Sequence, residues 1–289
     1  MAMPAPAYRE TPRGMLWMSG AILSFLAMAI AGRELSAELN VFQILFARGA
    51  VSLLIMLALL PRIGIANLRT ARPFTHLGRN MIHLGGQWGW FTGVAAIPLA
   101  EVFAIEFTTP VWTALLAAFF LGERPNRYRL AAIALGLIGV AVILRPGIAI
   151  IDTASLAVLF AAVCYASVYV ITRHLTTTEA NASVVFYMAV MQLPVTMLPA
   201  LPGWVWPSPA LWPWLAVVGI GSMAAHYCMT QAFRHAEAMV LMPLDFLRLP
   251  VAVAIGVYAY GEPLEVVVTI GAAIILAGNA INLWGERRR

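Results

Sequence analysis

The stretch VLMPLDFLRLPVAVAIGVYAY, residues 240–260, is apolar enough to cross a membrane, yet it holds Asp245, Arg248, Pro243 and Pro250. An ionisable side chain at mid-bilayer costs about 2.5–3.5 kcal/mol on insertion scales, so it is turned inward and paired. A proline removes a backbone donor, a defect tolerated where neighbouring helices or a wet cavity compensate. The run is not isolated. Sliding the chain against itself by 139 residues brings AIEFTTPVW (104–112) onto it, so that Glu106 falls on Asp245 and Phe107 on Phe246. In the same gapless register Gly122 meets Gly261, Glu123 meets Glu262, Ala134 meets Ala273 and Gly139 meets Gly278. Self-similarity at one spacing marks an internal repeat.

Outward from that pair, the whole chain reads as membrane. Of its 289 residues 62% are hydrophobic and 11% charged, with mean hydropathy +0.84; a globular domain is about 45–50% apolar. Ten runs approach the ~17–25 residues that a spanning helix needs: about 14–32, 41–61, 78–97, 102–121, 129–145, 153–172, 182–201, 209–232, 239–259 and 265–284. None alternates polar with apolar as a barrel strand does. The first run mimics a signal peptide but is longer than an h-region, and it reads as an uncleaved first helix. The expected fold is an all-α membrane bundle of two five-helix repeats, 1–148 and 149–289. An odd number of crossings per repeat makes the second copy enter from the opposite side, so the repeats are inverted.

The net charge of +5 and pI near 9.6 do not indicate nucleic acid, because the basic residues sort by membrane side. All are arginine. Arg9, Arg13, Arg62, Arg69, Arg72, Arg79, Arg124, Arg127, Arg129, Arg173, Arg234 and the terminal arginines fall on one face; the other receives Arg33 and Arg145. The positive-inside rule puts both termini in the cytoplasm and the 202–208 loop outside, in a bacterial-type inner membrane. Cys164 and Cys228 lie in apolar runs, placed for packing and not for a disulfide or a metal.

TPVWTALLAAFFLGERP (109–125), followed by GLIGVAVI (136–143) and restated by GEP at 261–263, resembles the repeat signature of the EamA family in the drug/metabolite transporter superfamily. The resemblance covers essentially the whole chain. It implies ten helices, cytoplasmic termini and a central substrate cavity. The aromatic-rich helices resemble the aromatic amino acid exporter of that group; S-adenosylmethionine importers look similar at this level.

The polar residues inside the runs are the candidate site. His83, Gln87 and Trp90 stand at i, i+4 and i+7 on one face of the third helix, and at the repeat offset they become Ser222, His226 and Met229. These stripes, with Trp17, Tyr165 and Tyr169, are the expected cavity lining, and His83 or His226 is a candidate to couple a proton. Arg48, Glu106, Asp245 and Arg248 are candidate gates or buried ion pairs. Glu106 reads as a solvated carboxylate near the outer interface, and Arg48 as a structural pair or a ligand contact. Pro110, Pro243 and Pro250 are expected to kink their helices.

No HExxH, GxSxG or CxxC occurs, so nothing points to an enzyme, a metal or a cofactor. A channel would show rings of carbonyls or charges. Two interchangeable halves point instead to a secondary transporter, an exporter of small amphipathic metabolites such as aromatic or hydrophobic amino acids. The other direction, import of a nucleoside-like metabolite, is the alternative. The partners implied are a small-molecule substrate, the lipid bilayer and a coupling proton; nothing indicates an obligate protein partner.

Overall fold

The computed structural model describes residues 11–121, 126–145, 152–175, 179–236, 241 and 244–286. In chain order the helices are α1 (Thr11–Leu35), α2 (Val41–Ile63), α3 (Pro73–Ala96), α4 (Leu99–Glu106), α5 (Thr109–Leu121), α6 (Arg127–Leu144), α7 (Thr153–Leu175), α8 (Asn181–Ala200), α9 (Trp212–His235), α10 (Arg248–Tyr260) and α11 (Val266–Glu286). Two short 3₁₀ turns, Ile65–Leu68 and Pro209–Leu211, join them. Asparagine side chains start two of the helices: Asn40 accepts from the Gln43 N–H and Asn126 from the Arg129 N–H.

Among the described residues seven segments are long and apolar enough to cross a membrane, one of them Leu99–Phe120, which runs through α4 and α5. Helices α3 and α9 have 24 residues each, a length of about 36 Å at ~1.5 Å per residue. They are missing from that set because they carry the polar stripes. With the shorter Arg248–Tyr260 they bring the crossings to the ten expected. The chain is a multi-pass membrane protein.

The 139-residue register reappears as a defect in the backbone. Between α4 and α5 the helix breaks at Phe107–Thr108, and ahead of α10 it breaks at Phe246–Leu247, which is the same pair of positions one repeat later. Each break sits just before a proline that cannot donate to the turn behind it: Pro110 is the second residue of α5 and Pro250 the third of α10. Hydroxyls and an amide satisfy the freed carbonyls. Thr108 Oγ1 donates to Ile105 O and Thr109 Oγ1 to Glu106 O, both at 2.6 Å, and Asn279 Nδ2 reaches across from α11 to Phe107 O at 2.9 Å. Pro243 and the GERP element at 122–125 lie outside the described residues.

Packing follows the repeat as well. The most extensive helix pairs are α1 with α9, α6 with α11, α3 with α7 and α2 with α8. Exchanging the halves converts α1–α9 into α3–α7 and leaves α2–α8 and α6–α11 unchanged. Small residues allow a close crossing of α6 and α11. A Cβ on Gly139 would stand 2.8 Å from Gly271 O, and one on Gly271 would stand 2.8 Å from Gly139 O. Phe107 and Phe246, the break residues themselves, meet edge to face with centroids 5.6 Å apart.

One end of the bundle is tied shut. Arg33, at the end of α1, donates to Val94 O and to Ile97 O, and pairs with Glu262 at 2.7 Å. The other oxygen of Glu262 accepts the Leu99 N–H at 2.9 Å, capping α4, whose own N-cap is Pro98 and offers no side chain. Gly261 turns the chain back here in the left-handed region (φ 64°), which a residue without Cβ adopts freely. Glu38 also joins this end, accepting from the Ser208 N–H and hydroxyl, as does Gln43, which donates to Val205 O.

Candidate functional site

A cavity of about 320 Å³ opens between the halves, within the ~300–1,000 Å³ of small-molecule sites. The third helix supplies Arg79, His83, Gln87, Trp90 and Phe91; α9 supplies Ser222, His226, Met229, Thr230 and Phe233. Phe25 and Met28 come from α1, Arg48 from α2, Glu106 from α4, Tyr165, Val168, Tyr169 and Thr172 from α7, and Asp245 and Arg248 from the second break. Its exposed members, Tyr169, His226, Thr230 and Phe233, lie toward the C-terminal ends of α7 and α9. Trp90, Phe91 and Met28 are buried at its depth, below the end that Arg33 and Glu262 close. A larger hollow of about 440 Å³, between α4, α10 and α11, is almost wholly apolar apart from Glu101, Glu265 and Thr269. It offers no convergent polar groups to orient a solute, so the smaller cavity is the candidate site.

The sequence stripes meet here. His83 and Gln87 are hydrogen-bonded within α3: Gln87 Nε2 lies 2.8 Å from His83 Nδ1, and Gln192 Nε2 approaches the same atom at 3.3 Å. Amide nitrogens only donate, so Nδ1 accepts and the ring proton sits on Nε2. The imidazole also stands against Tyr165, centroid to centroid 5.8 Å. His226 is held differently, edge-on to Phe25 at 6.0 Å, with its ring toward the open cavity.

Three charges tie the two helix breaks together. Arg248, first residue of α10, pairs with Asp245 at 2.8 Å and with Glu106 at 3.3 Å. Glu106 and Asp245 are the residues immediately before the breaks, so one guanidinium clamps both. Phe25, Phe103 and Phe107 surround it at 4.8, 5.7 and 5.1 Å from their ring centroids. Trp90 Nε1 donates to the remaining oxygen of Glu106 at 2.8 Å. The solvated Glu106 expected from its distance to the helix end is therefore corrected: α4 leads it inward, to an arginine and an indole. Arg48 pairs with neither Glu106 nor a backbone carbonyl; its Nε donates to Ser222 Oγ at 2.9 Å.

Twelve of the residues singled out in the sequence line this one space: His83, Gln87, Trp90, Ser222, His226, Met229, Tyr165, Tyr169, Arg48, Glu106, Asp245 and Arg248. Trp17 does not. It packs edge-on against Tyr227, centroids 5.8 Å apart, because its position on α1 faces α9 away from the cavity. The charge pattern places Arg79 among the arginines of the cytoplasmic face, but it lines the cavity. Its signal was present, since it stands four residues before His83 on the same stripe. Phe25, Phe91 and Phe233 carried no such signal among the many aromatics of the chain.

A polar cleft of this kind, inside a membrane bundle whose halves share one register, is the site of a membrane transporter. Residues 12–145 and 152–284 each match the EamA-like transporter family, and the chain belongs to that family. It is 30% identical over 279 residues to a riboflavin transporter of Rhizobium johnstonii, covering 96% of this chain and 92% of that one. It is 26% identical over 275 residues to an S-adenosylmethionine uptake transporter of Rickettsia conorii, covering 95% and 94%. A pseudopaline exporter of Pseudomonas aeruginosa is 26% identical over 276 residues, covering 91% and 93%. A solved crystal structure superposes with a TM-score of 0.66 at 20% identity, over 95% of this chain and 98% of that one, which shows the shared fold.

Proposed function

We propose that this protein is a secondary transporter that carries a small ring-bearing organic metabolite by alternating access. The cavity supports this reading most directly: aromatic side chains wall it, a few polar groups converge in it, and it is open at one end and tied shut at the other. In this reading residues 1–148 and 149–289 are inverted halves that rock about the contact of Phe107 with Phe246. The broken helices at Phe107 and Phe246 bend, and Pro110 and Pro250 keep them from zipping into straight helices. His83, Gln87, Trp90, Ser222, Tyr165 and Tyr169 contact substrate, and His226 is the group that exchanges a coupling proton. The open end faces the cytoplasm, in keeping with the arginine distribution, and carries both termini.

The relatives named for riboflavin and S-adenosylmethionine favour a fused-ring or nucleoside-like substrate over the export of aromatic amino acids. Aromatic amino acid export stays the second reading, because the wall of Phe25, Trp90, Phe91 and Tyr165 suits a single ring equally. Proteoliposome flux of labelled riboflavin, S-adenosylmethionine and phenylalanine, with and without a pH gradient, separates the two. Saturable flux of a fused-ring solute that His226→Gln uncouples from the gradient is expected. Flux of phenylalanine alone would replace the first reading with the second, and no flux of any ring-bearing solute would remove both.

A further inference from the structure

The cavity holds three guanidinium groups, Arg48, Arg79 and Arg248, against two carboxylates, Glu106 and Asp245. The charges are distributed unevenly. Both carboxylates are bound to Arg248. Arg48 makes its hydrogen bond to a neutral hydroxyl, Ser222 Oγ. Arg79 donates from Nε to Thr172 Oγ1 at 3.0 Å and from Nη1 to Asn80 Oδ1 at 2.8 Å, again to neutral acceptors. Among the described residues no carboxylate lies within ion-pair distance of either. Yet they are as buried as the clamped arginine: 5% of Arg48 and 8% of Arg79 is exposed, against 6% of Arg248.

A guanidinium removed from water inside a bilayer needs a counter-charge as well as hydrogen-bond acceptors. It has five donors in a rigid fork, and the neutral partners here occupy one donor of Arg48 and two of Arg79. The remaining donors border the same cavity as the aromatic wall. We infer that the substrate carries an anionic group, a carboxylate or a phosphate, which seats on Arg48 and Arg79 while its ring lies against the aromatic side chains. This rests on the transporter reading and narrows its substrate class. An uncharged ring such as that of riboflavin would leave both arginines without counter-charge, whereas the carboxylate of S-adenosylmethionine or of phenylalanine would supply one.

The test uses the purified full chain in detergent and a matched set of ring probes: benzoate, phenyl phosphate, benzyl alcohol and benzylammonium. Binding is read from the fluorescence of the tryptophans, Trp90 among them. At least one anion is expected to bind roughly tenfold or more tightly than benzyl alcohol, the lower range for a charge-assisted contact in a buried site. Benzoate against phenyl phosphate tells which anion the pair prefers. Arg48→Gln and Arg79→Gln are each expected to erase the preference without lowering the melting temperature of the ligand-free protein, since each removes a buried charge that lacks a counter-charge. Arg79→Lys is expected to keep part of the preference. Equal binding of the anionic and neutral probes, no binding of any probe, or chloride competing as well as benzoate would overturn the inference. Selective anion binding with no flux in proteoliposomes would overturn the transport reading and leave the anion site standing.

Discussion

Arg248→Met removes the one cation that faces both Glu106 and Asp245. At about 4 Å between charge centres and an effective dielectric near 20, each attraction amounts to about 4 kcal/mol before desolvation is counted. The contacts at 2.8 and 3.3 Å are of this kind. Removing the arginine leaves two buried carboxylates facing each other, and breaking such an arrangement costs about 3–5 kcal/mol. The carboxylates are not equivalent to it. Asp245→Asn still offers an oxygen to Arg248 and leaves Glu106 as counter-charge, so its cost is about 1 kcal/mol, the scale of one hydrogen bond. Glu106→Gln has one oxygen for two donors, so its NH2 faces either the Trp90 N–H or the Arg248 guanidinium, and its cost is larger, about 1–3 kcal/mol. The double variant Asp245→Asn/Glu106→Gln strips the arginine of both negative charges and is expected to fall back to the 3–5 kcal/mol class. Thermal melting of the four variants in one detergent gives the order: wild type, then Asp245→Asn, then Glu106→Gln, then Arg248→Met and the double variant lowest. If Asp245→Asn melts as low as Arg248→Met, or the double variant melts with the singles, charge balance at the breaks is not what holds this region.

Three further outcomes follow from particular contacts. A Cβ on Gly89 would stand 2.2 Å from Ala157 O, so Gly89→Ala must push α3 from α7 and is expected to cost about 1–3 kcal/mol in melting. The same change at Gly78, which meets nothing within 4 Å, is expected to be neutral or to stabilise by up to about 1 kcal/mol. Asn279→Leu leaves Phe107 O at the first break without its amide and is expected to cost about 1–3 kcal/mol, measured by melting, while Asn279→Gln recovers part of it. At the open end burial pushes the Glu179 carboxyl up, but the Thr70 hydroxyl, His76 and the Ala71 N–H outweigh it and bring it down to about 2. A depressed carboxyl stabilises fully above its ordinary value of 4.5, so the melting difference between wild type and Glu179→Gln should be constant above that and shrink as pH falls toward 2. A difference that grows on acidification would contradict the assignment.

Much of the architecture was legible in the chain because a bilayer enforces long apolar helices and a repeat copies its own register. The positions of the breaks are an example. The 139-residue offset pairs Glu106 with Asp245 in the sequence alone, and the helices fail one residue later in both copies. The polar stripe of α3 was visible as spacing, since residues four apart on a helix must share a face. The sequence also identified the family, through the TPVW and GER elements that the family match then covered at both repeats.

Partnership was a different matter. Spacing on one helix suggested that Asp245 and Arg248 neutralise each other, and only the packed bundle added Glu106 to make the clamp three-membered. The sequence places Arg48 inside a helix and Arg79 on the stripe of His83, but their lack of carboxylate partners among the described residues is a property of seven helices meeting in space. The same holds for Trp17, which composition suggests for the cavity and rotation about α1 turns against Tyr227. Periodicity along a helix depends on neighbours in sequence, so the chain alone determined which side chains share a face. Which face meets which, and hence which charge is answered, depends on the crossing of helices distant in sequence, and the tertiary structure decided it.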